Sequence, residues 1–317
     1  MGIRVIKTAT AGLAAIYTAH YFGLEPFLSA GLLAILGVEV TRMKGLKAAF
    51  ARFMASVVGL FFASLIFTLF GFELWSVSIF ILIAFPILAR LQLQGGIVTS
   101  SVIVFHLFSA GEVTQALIVN EILLLVTGLG WASIFNLLYM PREEGRLHQQ
   151  RRETERLFGE IFTHLAQTLR DPAHMWNGEQ LLAAEASIQA GLRRAQIYRE
   201  NTLWRYESYW RTYFEMRSSQ LESIQQMLGL VALVYEKMPQ GILLAEVFGH
   251  LAEEVKSDVY IGRVERELER LEERFREMPL PLTRDEFELR ASLYQLCHEL
   301  ERYLSIAKRW KKRDETA

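Results

Sequence analysis

The sequence predicts an all-α protein. A six-helix transmembrane domain of three helical hairpins covers residues 1–141, and a cytoplasmic helical-bundle domain covers residues 142–317. Three observations predict this. Long apolar runs are confined to the first part. Charge alternates between the connectors that join those runs. The remainder shows helical apolar periodicity and no alternating strand pattern.

Whole-chain averages conceal the division. Hydrophobic residues make up 51% and charged residues 22%, close to globular values. Residues 1–141 hold only seven of the 34 Lys/Arg and five of the 35 Asp/Glu. The net charge of −1 therefore averages two different solvents and identifies no partner. Cys297 is the only cysteine, which excludes a disulfide within one chain and a Cys-based zinc site. The first apolar run lacks a small-residue cleavage site and is followed by further apolar runs, so it is not read as a cleavable signal.

Six apolar runs lie at 5–23, 27–41, 48–72, 74–89, 95–111 and 115–140. A helix needs about 20 residues to cross the hydrocarbon. The third run meets this easily, whereas the second and fourth are short enough to be re-entrant by length alone. Charge decides for crossing. Connectors carrying Glu25, Glu73 and Glu112 alternate with connectors carrying Arg42, Lys44 and Lys47, then Arg90, then Arg142, Arg146, Arg151 and Arg152. Lys/Arg-bearing connectors face the cytoplasm, so both termini are expected inside. A weak repeat accompanies this pattern. Phe22-Gly23-Leu24-Glu25 is echoed by Phe70-Gly71-Phe72-Glu73, and more faintly by Ser109-Ala110-Gly111-Glu112.

Ionisable groups inside apolar runs are functional candidates, because hydrocarbon tolerates them only against protein or water. His20, Glu39, His106 and Glu121 are such groups, with Asn120 and Asn136 beside them. Each has a plainer reading. His20 sits near the outer end of its run and reads as interfacial. Glu39 stands three residues before Arg42, as in a local helix ion pair. His106 reads equally as a tucked-in, hydrogen-bonded histidine, and Glu121 as a carboxylate solvated at the outer interface. Lys7 and Arg52 read as snorkelling to the headgroups. The fifth run opens Gly95-Gly96-Ile-Val-Thr99-Ser100-Ser101. Adjacent glycines permit a break or a close approach. Hydroxyls there either bond back to the i−4 carbonyl, glue helices together, or meet an anionic substrate beside free backbone N–H groups.

The second half reads as helices separated at Asp171-Pro172, at Pro239 with Gly241, and at Met278-Pro-Leu-Pro281. Asn177 with Gln180, and Thr283 with Glu286, have capping-box spacing. Val264, Leu268, Leu271 and Phe275 form one bundle seam, and Leu293, Leu296, Leu300, Tyr303 and Leu304 another. Tyr206, Tyr209, Trp210, Tyr213 and Phe214 crowd one stretch with arginines between them. This reads as bundle core before it reads as an aromatic or anionic ligand site. No net basic patch suggests nucleic acid. The P-loop, H-E-x-x-H, paired C-x-x-C and G-x-S-x-G patterns are absent from the sequence, so an ATPase and the common hydrolases are disfavoured. No enzyme activity, cofactor or metal is expected.

Three stretches carry a family resemblance. They are Arg4-Val-Ile-Lys7-Thr-Ala, Val40-Thr-Arg42-Met-Lys44 with Ala51-Arg52-Phe53, and Gly95-Gly-Ile-Val-Thr-Ser-Ser-Val-Ile-Val-Phe-His106. The chain resembles the aromatic acid exporter family, within the fusaric-acid-resistance type of transporter, over its whole length. The resemblance implies a multi-pass bacterial inner-membrane protein whose partners are the lipid bilayer and a small organic anion substrate. Larger relatives look like two such halves fused, which implies a homodimer or higher homo-oligomer. It supplies no catalytic residues. The expectation is gradient-driven export of aromatic carboxylic acids or similar amphipathic anions. Gly95, Gly96, Thr99 and Ser100 would contact substrate, His106 and Glu121 would titrate, and Glu39 and His20 are further candidates on the path. The rival expectation is a non-transporting membrane scaffold or ligand sensor that acts through its cytoplasmic bundle.

Overall fold

A computed structural model of the chain describes residues 3–138, 143–202, 209–257, 259–260, 262–310 and 312–313. These residues form twelve α-helices, and no strand among them exceeds two residues. The chain divides into two compact units. One comprises residues 1–141 with 200–206, the other residues 142–199 with 207–317.

The first unit holds α1 (Ile3–Tyr21), α2 (Phe27–Gly37), α3 (Arg42–Phe70), α4 (Leu74–Arg90), α5 (Ile97–Ala110) and α6 (Gln115–Leu138). Among the described residues, only α3 and α6 are long and apolar enough to cross a bilayer. Helix α2 has 11 residues, about 16 Å at 1.5 Å per residue, roughly half the hydrocarbon thickness. Helices α4 and α5, with 17 and 14 residues, are also short. Six full-length spanning helices are therefore not seen. The second run stops at Gly37 instead of residue 41, and α3 starts at Arg42, so the basic connector is itself the first turns of a helix.

Side-chain contacts give the helix directions. Gly31 meets Ile16 and Gly12 meets Ile35, so α1 and α2 are antiparallel. Gly96 meets Arg52 and Ala55 while Phe108 meets Phe67, so α5 runs parallel to α3. Asn120 bonds Glu25 and Asn136 bonds Glu39, so α6 runs parallel to α2. The repeat noted in the sequence has a common cause. Gly23, Gly71 and Gly111 follow α1, α3 and α5, and all have φ between 65° and 77°. Each stops its helix in a conformation that favours glycine. Ala11, Ala15, Ala30, Leu33, Phe80, Ile103 and Leu124 are fully buried between these helices. Exposed Leu, Ile and Phe cover the outside, as at Leu28, Phe61 and Leu82.

The second unit is built from α7 (Glu144–Arg170), α8 (Glu179–Asn201), α9 (Tyr209–Val231), α10 (Pro239–Glu254), α11 (Arg263–Glu277) and α12 (Arg284–Trp310). Pro239 begins α10 at a position where its missing N–H costs nothing. The core runs through Phe158, Phe162, Leu244, Phe248 and Leu293. Both seams face inward, with Val264, Leu268 and Leu271 buried on α11 and Leu293 to Leu304 on α12. The Thr283 cap forms, with Glu286 N donating to Thr283 Oγ1 at 3.1 Å. The Asn177 cap bonds Glu179 N, but Gln180 accepts from Trp176 instead of closing a box. Trp210, Tyr213 and Phe214 are buried, in keeping with the core reading, while Tyr209 is half exposed. Tyr206 lies outside the described residues.

Candidate functional site

The structure brings His106 and Glu121 together. Helix α5 presents His106 and the start of α6 presents Glu121, with 3.0 Å between Nδ1 and Oε2. The Glu121 side chain is 0% exposed and that of His106 is 21% exposed. The solvated placement that the sequence allowed for Glu121 is therefore not what is found. His106 with Asn120 supplies the polar contacts a buried carboxylate requires. Asn120 Nδ2 stands 3.4 Å from Glu121 Oε1. The second ring nitrogen, His106 Nε2, is 3.0 Å from Ser29 Oγ in the first turn of α2. Which nitrogen carries a proton depends on the tautomer.

Both ends of α2 are held by asparagines of α6. Asn120 donates to Glu25 O at 2.6 Å and accepts from Glu25 N at 3.1 Å. Asn136 donates to Gly37 O at 3.0 Å and accepts from Glu39 N at 3.1 Å. Glu25 N, Glu25 O, Gly37 O and Glu39 N flank or end α2, and these two carboxamides bond all four of them. They act first as clamps.

A second polar cluster surrounds the break between α2 and α3. Arg52 donates to Leu36 O and, at 3.4 Å, to Gly95 O. Its Nη2 lies 3.9 Å from Glu39 Oε1. The ion pair read for Glu39 with Arg42 is thus replaced by one with Arg52. Residues 38–41 are not helical, so Glu39 and Arg42 do not share a helix face. Lys7 is 3% exposed, and its Nζ donates to Glu39 O at 3.3 Å. Both cations thus bond backbone carbonyls of the 36–39 segment.

The Gly95–Ser101 segment packs against α3. Gly96 is buried, and a Cβ there would lie 2.8 Å from Ala51 O and 2.9 Å from Arg52 Cα. Gly95 has open space around it. Ser101 Oγ bonds back to Ile97 O at 2.9 Å. Thr99 and Ser100 do not follow it; both are buried, and their hydroxyls have no partner among the described residues. Ser100 faces Gly59 of α3. His20 lies at the exposed end of α1 with its ring edge-on to Phe27 at 5.0 Å.

Sequence reading missed Ser29, because a single serine in an apolar run carries no signal of its own. It also missed a buried network in the second unit. Arg217, 1% exposed, donates to Glu155 Oε1 at 3.1 Å, to Gln220 Oε1 at 3.1 Å and to Val255 O at 3.2 Å. Its Nε donates to Tyr213 OH, which donates on to Glu155. Burial pushes the Tyr213 hydroxyl well above the usual phenol range, so it stays a donor.

Residues 1–140 match the family described as "Aromatic acid exporter family member 1". Residues 144–308 match the "Putative aromatic acid exporter C-terminal domain". The chain belongs to the aromatic acid exporter family. Among curated proteins, this family member is 35% identical to the "Uncharacterized protein YqjA" of Bacillus subtilis (strain 168) over 306 residues, 96% of this chain and 95% of that one. Among solved structures, the crystal structure of a "putative membrane protein from Clostridium difficile 630" matches at a TM-score of 0.45 with 21% identity. That match covers 51% of this chain and 97% of the other. The family is one of exporters, and among the described residues this member carries two helices long and apolar enough to cross a bilayer.

Proposed function

We propose that this protein exports aromatic carboxylic acids or similar amphipathic anions across the bacterial inner membrane, driven by the proton gradient. The carrying observation is the His106–Glu121 contact. A carboxylate with no solvent exposure, bonded to an imidazole in an apolar helical unit, is a group that can take up and release one proton per cycle. Substrate would pass beside the unpartnered hydroxyls of Thr99 and Ser100, with Gly95 and Gly96 close by.

In this reading the first unit makes six crossings with both termini in the cytoplasm. Helix directions support it: α1 runs against α2, α3 against α4 (Gly59 meets Phe80 and Phe70 meets Trp75), α5 along α3, and α6 along α2. The short α2 fits as well. Asn120 and Asn136 are 16 residues apart on α6, about 24 Å along a helix. The segment from Glu25 to Glu39 covers that depth because its flanks are extended and its end groups are bonded. The helical bundle of the second unit then lies in the cytoplasm, where it gates or dimerises. Uptake of a panel of aromatic acids by energised inside-out vesicles tests the function. Glu121→Gln and His106→Ala are each expected to remove the dependence of uptake on the pH gradient. Uptake that keeps that dependence in both variants overturns the assignment.

A further inference from the structure

Two separate hydrogen-bond routes join the start of α2 to Glu121. One runs from Ser29 through His106. The other runs from the Glu25 backbone through Asn120. We propose that Ser29 reads the proton count of the His106–Glu121 pair, and that the first turn of α2 is the element through which proton uptake is coupled to movement of substrate. The proposal rests on the titrating role given to the pair above.

Counting protons shows why. With one proton on the pair, Glu121 is a carboxylate, His106 is neutral, and the hydrogen sits on Nδ1 in the 3.0 Å bond to Oε2. Nε2 is then bare, and Ser29 must donate its hydroxyl hydrogen to it. A second proton has two places to rest while the Nδ1–Oε2 bond is kept. His106 becomes an imidazolium beside a carboxylate, or Glu121 becomes a carboxylic acid donating to a bare Nδ1 while the ring hydrogen moves to Nε2. Both arrangements place a hydrogen on Nε2. Ser29 must then accept, and its own hydrogen must turn to another acceptor. One added proton thus reverses the Ser29–His106 bond wherever that proton settles. The carboxylate that Asn120 Nδ2 faces loses its charge in the second arrangement, which weakens the other route too.

Few other charges bear on this pair. Helix α2 has no ionisable residue between Phe27 and Gly37, and those of α3 lie between Arg42 and Arg52, against the opposite end of α2. The α1–α2 connector contributes Glu25 and the α5–α6 connector Glu112, both with exposed side chains, and α1 contributes the exposed His20, in contact with Phe27. Glu121 is the only acid of α6 and His106 the only ionisable residue of α5. Ser29 is a positioning residue: it acts on the pair and is not itself a proton store.

The full-length protein in right-side-out vesicles, carrying Glu25→Cys, tests the idea through its labelling rate with a membrane-impermeant maleimide. The natural Cys297 stays silent, because it is buried and its thiol is pushed up to about 12 by that burial. Divided by the rate of an unstructured cysteine peptide at the same pH, which removes the thiolate's own titration, the rate is expected to change about three- to tenfold between high and low pH, the factor one hydrogen bond contributes. Ser29→Ala should flatten that profile and uncouple export from the proton gradient, and Ser29→Thr should restore both. His106→Gln flattens it from the other side of the bond and keeps the test open if Ser29→Ala fails to fold. A pH-dependent rate unaffected by Ser29→Ala and His106→Gln overturns the proposal. So does a flat rate in a protein whose export still needs Glu121, an outcome that leaves the exporter assignment standing. Pair-independent export is the distinct failure of that assignment itself.

Discussion

The Gly95-Gly96 pair allows a sharp test, because two residues equivalent in sequence stand in opposite surroundings. Replacing Gly96 by alanine puts a Cβ 2.8 Å from the Ala51 carbonyl oxygen and 2.9 Å from Arg52 Cα, and closer still to Ala55 Cβ. The first two are backbone atoms of α3, so no side-chain rotation relieves the clash, and α5 must move away. Overpacking of this kind costs about 1–3 kcal/mol, with strain on the Arg52–Gly95 hydrogen bond in addition. Replacing Gly95 puts a Cβ where nothing lies within 4 Å, so its cost should stay below about 0.5 kcal/mol. Thermal unfolding of the purified protein in detergent reads the difference. At about 2–4 °C per kcal/mol, Gly96→Ala should melt roughly 2–12 °C below wild type, and Gly95→Ala within about 2 °C of it. Equal shifts for the two variants refute the close-approach argument. The same pair separates packing from substrate contact. If Gly95 meets substrate through its backbone, Gly95→Ala raises the KM for export at unchanged stability.

Two further predictions concern the second unit. Arg217→Ala leaves Glu155, 6% exposed, with one cation fewer in a buried network. Removing one partner of such a pair costs about 3–5 kcal/mol, whereas the double variant Arg217→Met/Glu155→Met should recover much of the loss in a thermal-melt cycle. A single-variant loss below about 1 kcal/mol rules this out. His164 Nδ1 lies 3.1 Å from His174 Nε2, and burial together with the His174 charge holds the His164 imidazole below its ordinary value. The unfolded chain therefore binds the proton first, so stability is full above about pH 6.5 and falls as pH drops below it. His164→Gln should flatten that part of the melting-temperature profile; an unchanged slope sinks the assignment.

Much of the architecture is legible in the sequence because its causes are local. Gly23, Gly71 and Gly111 mark helix ends by the backbone conformation they permit, and Thr283 with Glu286 marks a helix start by hydrogen bonding within one turn. The seams on α11 and α12 follow from helical spacing alone. Helix lengths were less legible. Apolar character continues through residues 38–41, but the helix does not, because Arg52, Lys7 and Asn136 take up the backbone groups freed by the break. Those bonds bridge residues up to 99 positions apart, and no window of sequence contains both partners.

By itself the sequence determined the all-helical class, the change of character near Pro141, and the family, since these depend on composition, periodicity and continuous motifs. It also singled out His106 and Glu121, because an ionisable residue in an apolar run is conspicuous wherever it ends up. Only the tertiary structure decided that these two meet, that Ser29 completes the chain, and that Glu39 answers to Arg52 rather than Arg42. The physical reason is reach. A side chain chooses its partner within about 3 Å, and which groups come that close is set by the packing of helices distant in sequence.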